Sequence, residues 1–154
     1  MKTLQQWLDE YAVSHQNPTN KLIHWVCVPA IFFTVVGLLY SIPLGTAGTM
    51  TEGLVAKVIL VFIIGYYFTL SKVLSIGMLL FGIGCLALSS LIQNKFGMNL
   101  AITSLVIFVV AWIFQFWGHN IEGKKPSFLK DLQFLLIGPA WVMTFIFNKI
   151  GIKL

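Results

Sequence analysis

Long windows free of charged side chains constrain this chain more than any other feature. Five apolar segments emerge, at roughly residues 25–42, 54–70, 73–92, 99–118 and 132–148. At a rise of 1.5 Å per residue, about 20 helical residues cross the ~30 Å hydrocarbon core of a bilayer. Hydrophobic residues make up 58% of the 154 and charged residues only 10%, well below the ~25% charged usual in soluble domains. A soluble domain of this length could not hide so much apolar surface, so lipid is the expected solvent. The expectation is all-α: a polytopic transmembrane helical bundle forming one integral membrane domain over 1–154, in contact with the lipid bilayer.

Ser71 and Lys72 alone separate the second and third segments, which predicts a tight helical hairpin. The second is slightly short, with Lys57 able to snorkel from its first turn. In the fifth, Gly138-Pro139 falls near the middle. Proline removes a backbone donor there, so the segment either spans with a kink or dips in and returns; spanning is the preferred reading. Residues 1–24 read as an interfacial arm. Within it Leu4, Trp7, Leu8 and Tyr11 follow helical spacing, and Thr3 with Gln6 has the capping-box pattern. This predicts a short N-terminal amphipathic interfacial helix, with packing against the rest of the protein as the alternative. Asn17-Pro18 then ends that helix and caps the next, and Pro29 predicts a kink around Trp25 that aims His24 inward.

The ten basic residues are all lysines and outnumber the acids by five. They are scattered through the connections, which suits anionic headgroups and topology, and no basic stripe with interleaved aromatics supports nucleic-acid binding. Cys27 and Cys85 lie in apolar sequence without CxxC spacing and read as buried small hydrophobes. The first 24 residues lack the layout of a cleaved signal peptide. Nothing in the spacing sets an oligomeric state.

The chain has three histidines, His15, His24 and His119. The first two lie where the chain enters the first apolar segment, and four crossings return it to that side at His119. So the three share one membrane face, although His24 and His119 are 95 positions apart. Lys2, Lys21, Lys72, Lys124, Lys125 and Lys130 fall on the same side, against Lys57 and Lys95 near the other; Lys149 and Lys153 join the latter if the fifth segment spans. That bias places the histidine face in the cytoplasm. Glu122 follows His119 by three and shares its helical face. Neutral imidazoles with a carboxylate suit ferrous iron or zinc. Glu122 pairing with Lys124 or Lys125 is the alternative, and each histidine alone has the plainer one of satisfying a backbone carbonyl. Asn17, Asn20 and Gln115 are candidate supporting hydrogen-bonding groups, and Lys21 and Lys124 candidates to attract an anionic head. A membrane transporter or lipid-binding scaffold, a zinc-dependent hydrolase, and bis-histidine haem compete with the oxidative reading.

Tyr11-x3-His15-x-Asn17-Pro18-x-Asn20-x3-His24 followed by Pro29 resembles the N-terminal signature of the Mpo1-like (DUF962) membrane protein family. Trp112-x2-Gln115-x2-Gly118-His119-x2-Glu122-x3-Pro126, then Asp131 and Gly138-Pro139, resembles its second signature. Cys27 stands where a small residue is expected. The resemblance implies an Fe(2+)-dependent dioxygenase that cleaves the C1–C2 bond of 2-hydroxy fatty acids, an α-oxidation step in lipid metabolism. Dioxygen and the 2-hydroxy acid are then the reaction partners. It further implies His15, His24 and His119 as catalytic iron ligands, with Glu122 a weaker carry-over as ligand or supporting partner. The location is then the inner membrane in a bacterium, or the endoplasmic reticulum in a eukaryote.

Overall fold

In the computed structural model the described residues form six α-helices: α1 Leu4–Ala12, α2 Pro18–Tyr40, α3 Leu54–Leu70, α4 Lys72–Asn94, α5 Leu100–Glu122 and α6 Phe134–Lys149. The structure describes residues 2–44, 46, 48–96, 98–126 and 133–152, and no strand occurs among them. Lys130, Asp131, Lys153 and the expected start of the fifth segment at residue 132 lie outside the described residues. α2, α4 and α5, each of 23 residues, are long and apolar enough to cross a membrane. α3 and α6 are shorter apolar helices. The five apolar segments thus become α2–α6, with two boundaries shifted by more than two residues. α2 begins at Pro18, seven positions before the expected span, because the Asn17 side chain accepts from the Thr19 and Asn20 amides and Pro18 suits the first turn. α5 continues past residue 118 to Glu122, so His119 and Glu122 are helical, and Gly123 (φ 69°) ends it.

α1 has the expected capping box: the Gln6 amide donates to Thr3 Oγ1 at 3.3 Å and the Thr3 amide to Gln6 Oε1 at 2.9 Å. Its apolar face, Trp7, Leu8 and Tyr11, is buried against Phe134 and Ile137 of α6, with Trp7 meeting Phe134 edge-on at 5.3 Å. That stripe is therefore covered by protein rather than open to lipid.

α2 is the central helix, packing on α3, α4, α5 and α6. Its antiparallel contact with α5 is close at both ends because small residues let the backbones approach. A Cβ at Gly37 would strike Ser104, and one at Gly118 would strike the Asn20 side chain. Ser71 makes the α3–α4 hairpin tight by ending one helix and capping the next, accepting from the Leu74 amide at 3.3 Å. At the opposite end of the bundle, buried Glu52 accepts from the Gly48 amide at 2.9 Å and from Asn94 Nδ2 at 2.8 Å. Those bonds tie the α2–α3 loop to the end of α4. α6 runs continuously through Pro139. Proline leaves the Leu135 carbonyl without its helical donor, and one residue on, the Leu136 carbonyl accepts the buried Tyr67 hydroxyl at 2.7 Å.

Candidate metal centre

The start of α2, the end of α5 and the α1–α2 connection meet at one end of the bundle, and each delivers a histidine. Ring centroids are 4.3 Å apart for His15 and His24, 5.0 Å for His15 and His119, and 4.8 Å for His24 and His119. All three are buried, at 1%, 1% and 5% exposure. One ligand atom from each lies within 4.8 Å of the others, a group able to hold a metal ion.

Local geometry sets which nitrogen faces inward. His15 Nδ1 lies 2.7 Å from the Tyr11 carbonyl and His24 Nδ1 lies 2.9 Å from the Asn20 carbonyl, each one helical turn back. A carbonyl only accepts, so these contacts put the proton on Nδ1 and leave Nε2 with its lone pair exposed as a ligand. Both Nε2 atoms, and Nδ1 of His119, are buried without a hydrogen bond of good geometry, although the Gln115 side chain interacts with His24. Three buried nitrogens left bare in one spot are costly unless something fills the space between them. Burial, foremost, pushes the His15 imidazole down to about 3, with neighbouring His24 adding to the effect. A neutral ring is the form that binds metal.

The His15 ring is held further by stacking on Tyr11 at 4.0 Å and by Trp141 at 5.7 Å. Tyr11 stands one turn before His15, a spacing visible in the sequence. Trp141 carries no such signal, since it arrives only because α6 packs beside α1.

Glu122 does something else. Its Oε1 accepts the Gln16 amide at 2.8 Å, and its Oε2 accepts the Asn17 amide at 2.8 Å and Asn20 Nδ2 at 3.1 Å. Both oxygens are engaged with donors around the start of α2, a position that also suits a negative charge at a helix N-terminus. Neither Lys124 nor Lys125 pairs with it: Lys124 Nζ donates to the Val13 carbonyl at 2.8 Å. Asn20, fully buried, also donates to the Ser14 carbonyl at 3.1 Å. Glu122 with Asn17 and Asn20 therefore binds the end of α5 to the His15 connection and the first turn of α2.

A cavity of about 390 Å³ opens from the histidines into the bundle. Its polar lining groups, Tyr11, His15, His24, Gln115 and His119, are confined to one end. The remaining wall is apolar, from α2, α3, α5 and α6. Lys21 and Lys124 do not line it. Two of its lining residues, Val35 and Leu135, are 39% and 41% exposed, which gives the cavity a lateral mouth.

Fold and site together define a helical protein with membrane-crossing helices and a buried tri-histidine cluster at the polar end of an apolar cavity. The chain belongs to the Mpo1-like family: residues 1–150 match the family described as 2-hydroxy-palmitic acid dioxygenase Mpo1-like. It is similar to the 2-hydroxy-palmitic acid dioxygenase MPO1 of Saccharomyces cerevisiae, at 28% identity over 150 residues that cover 96% of this chain and 82% of the yeast protein. No solved structure matches it.

Proposed function

We propose that this protein is an Fe(2+)-dependent dioxygenase that shortens 2-hydroxy fatty acids by one carbon. The observation that carries the reading is the convergence of three buried imidazoles with bare nitrogens at the polar end of an otherwise apolar cavity, in a family named for a 2-hydroxy-palmitic acid dioxygenase. The balance closes without a further reductant: R–CHOH–COOH and dioxygen give R–COOH, carbon dioxide and water.

The residues fit the metal. With metal–nitrogen bonds of about 2.0–2.1 Å, two ligands of one ion stand at most about 4.2 Å apart. Nitrogens within 4.8 Å reach that spacing by small ring rotations. Three neutral ligands leave the ion's charge uncompensated, so bound ferrous iron supplies open positions that favour an anionic, chelating 2-hydroxy carboxylate beside dioxygen. Tyr11 and Asn20, through their carbonyls, keep the His15 and His24 lone pairs aimed inward. The apolar wall excludes water and receives the tail. The oxidative reading is preferred to zinc-dependent hydrolysis, because the nearby carboxylate of Glu122 is already occupied by three N–H donors and is not a free general base.

The test is product analysis. Purified protein given 2-hydroxypalmitate, ferrous iron and oxygen should release pentadecanoate and carbon dioxide, and His119→Ala should release neither. No odd-chain product from the wild type, or equal product from the variant, would refute the proposal.

A further inference from the structure

The cavity follows α2 for most of that helix. His24, Val28, Ile31, Phe32, Val35, Val36 and Leu39 line it, turn after turn on one face. From His24 to Leu39 is about 22 Å along the helix axis at 1.5 Å per residue, more than the ~15 Å of one leaflet of a ~30 Å core. Beyond Leu39 the path is closed by packing. Tyr40 is buried, and its ring lies so close to Gly53 that a Cβ there would strike it. Ala56 is fully buried in the same cluster. The left-handed backbone at Gly53 (φ 66°) and the Glu52 bonds to Gly48 and Asn94 hold this floor in place.

We infer that this cavity gauges acyl length: the tail runs along α2 away from the histidines, past the lateral mouth, and the floor at Leu39 and Ile59 limits which chains fit. The inference rests on the proposed function for the identity of the head group, and on the cavity alone for the tail. One end of the cavity is polar and the other is not, which matches an amphiphile bound head to the histidines. With carbon–carbon bonds of about 1.52 Å and angles near 111°, an extended chain advances about 1.25 Å per carbon. A 22 Å path then holds about 17 carbons, so the gauge admits long-chain acids. Ile31 lies about 10 Å along the same path, or about 8 carbons from the head.

Two substitutions read the gauge at two depths. Ile31 and Leu39 are each half-buried and line the cavity, so a larger side chain has open space to enter. Each methylene denied its apolar wall weakens binding about fourfold. Ile31→Trp should favour 2-hydroxydecanoate over 2-hydroxypalmitate by about 100-fold or more relative to wild type. Leu39→Trp should favour 2-hydroxymyristate over 2-hydroxypalmitate by about tenfold relative to wild type. Turnover is measured across this series. In parallel, thermal stabilisation of the metal-free protein is measured with unhydroxylated fatty acids of the same lengths, which needs no chemistry. Length-dependent stabilisation without turnover would retain the gauge and refute the dioxygenase. Turnover with the same length profile in wild type and both variants would retain the dioxygenase and overturn the gauge. An unchanged profile in Leu39→Trp alone would also overturn it, since the tail would then leave through the Val35–Leu135 mouth.

Discussion

Gly118 and Glu122 show how closely single residues hold the centre. A Cβ at Gly118 would strike the Asn20 side chain, and Asn20 both accepts from His24 through its carbonyl and donates to Glu122. Gly118→Ala should therefore cost about 1–3 kcal/mol by overpacking and weaken metal binding, read by denaturant titration and metal affinity. Glu122→Gln turns an acceptor-only group into one that presents N–H to a backbone N–H. It should lower metal affinity about tenfold while the helical content, followed by circular dichroism, is retained. The pH dependence has a definite sign. His15 is held near 3 in the folded protein, below its ordinary value near 6.5. Between those values the unfolded chain takes up a proton that the folded chain refuses, so metal-free stability should fall as pH drops from about 6.5 toward 3 and be constant in this respect above it. A melting temperature that rises on acidification through that window would contradict the burial of His15.

Elements were more legible than their contacts. Segments 54–70 and 73–92 correspond to α3 and α4 because Ser71 and Lys72 interrupt two uncharged runs, and Asn17-Pro18 marks the start of α2 by ordinary capping chemistry. The same sequence gives little hint of the cavity. Helices apolar all round carry no periodic signal to say which face meets protein and which meets lipid, so the open space between α2, α3, α5 and α6 was not readable. The spacing of Glu122 to His119 marks it as a candidate ligand, and the family resemblance as ligand or supporting partner, but its partners at Gln16 and Asn17 are 106 and 105 positions away. Only the folded loop brings them near. Gly138-Pro139 in α6 leaves a kinked span or a segment that dips in and returns as the sequence readings. The helix runs continuously through Pro139, and next to the Leu135 carbonyl that proline leaves without a helical donor, the Leu136 carbonyl accepts the Tyr67 hydroxyl. Tyr67→Phe should remove that bond and destabilise the protein by about 0.5–1.5 kcal/mol, measured by denaturant titration in detergent.

Across the whole molecule, α2 and α5 pack antiparallel, Asn20 beside Gly118 and Gly37 beside Ser104, and this order allows His119 to meet His24. The lysine bias predicts that the histidine end faces the cytoplasm. Cys27 and Cys85 are buried and should stay silent to an impermeant maleimide, so single reporters can be placed on each face. In sealed membrane vesicles of known orientation, Lys125→Cys should label from the cytoplasmic face and Lys95→Cys only from the opposite one. The opposite pattern would invert the topology while leaving the centre intact.

The central claim is that three histidines from separate parts of the chain form one iron centre, and anaerobic titration of metal-free protein with ferrous iron tests it most directly. The wild type should bind one iron per chain, and His15→Ala, His24→Ala and His119→Ala should each lose tight binding. Retention of wild-type iron affinity by any one of the three variants would contradict a shared tri-histidine site.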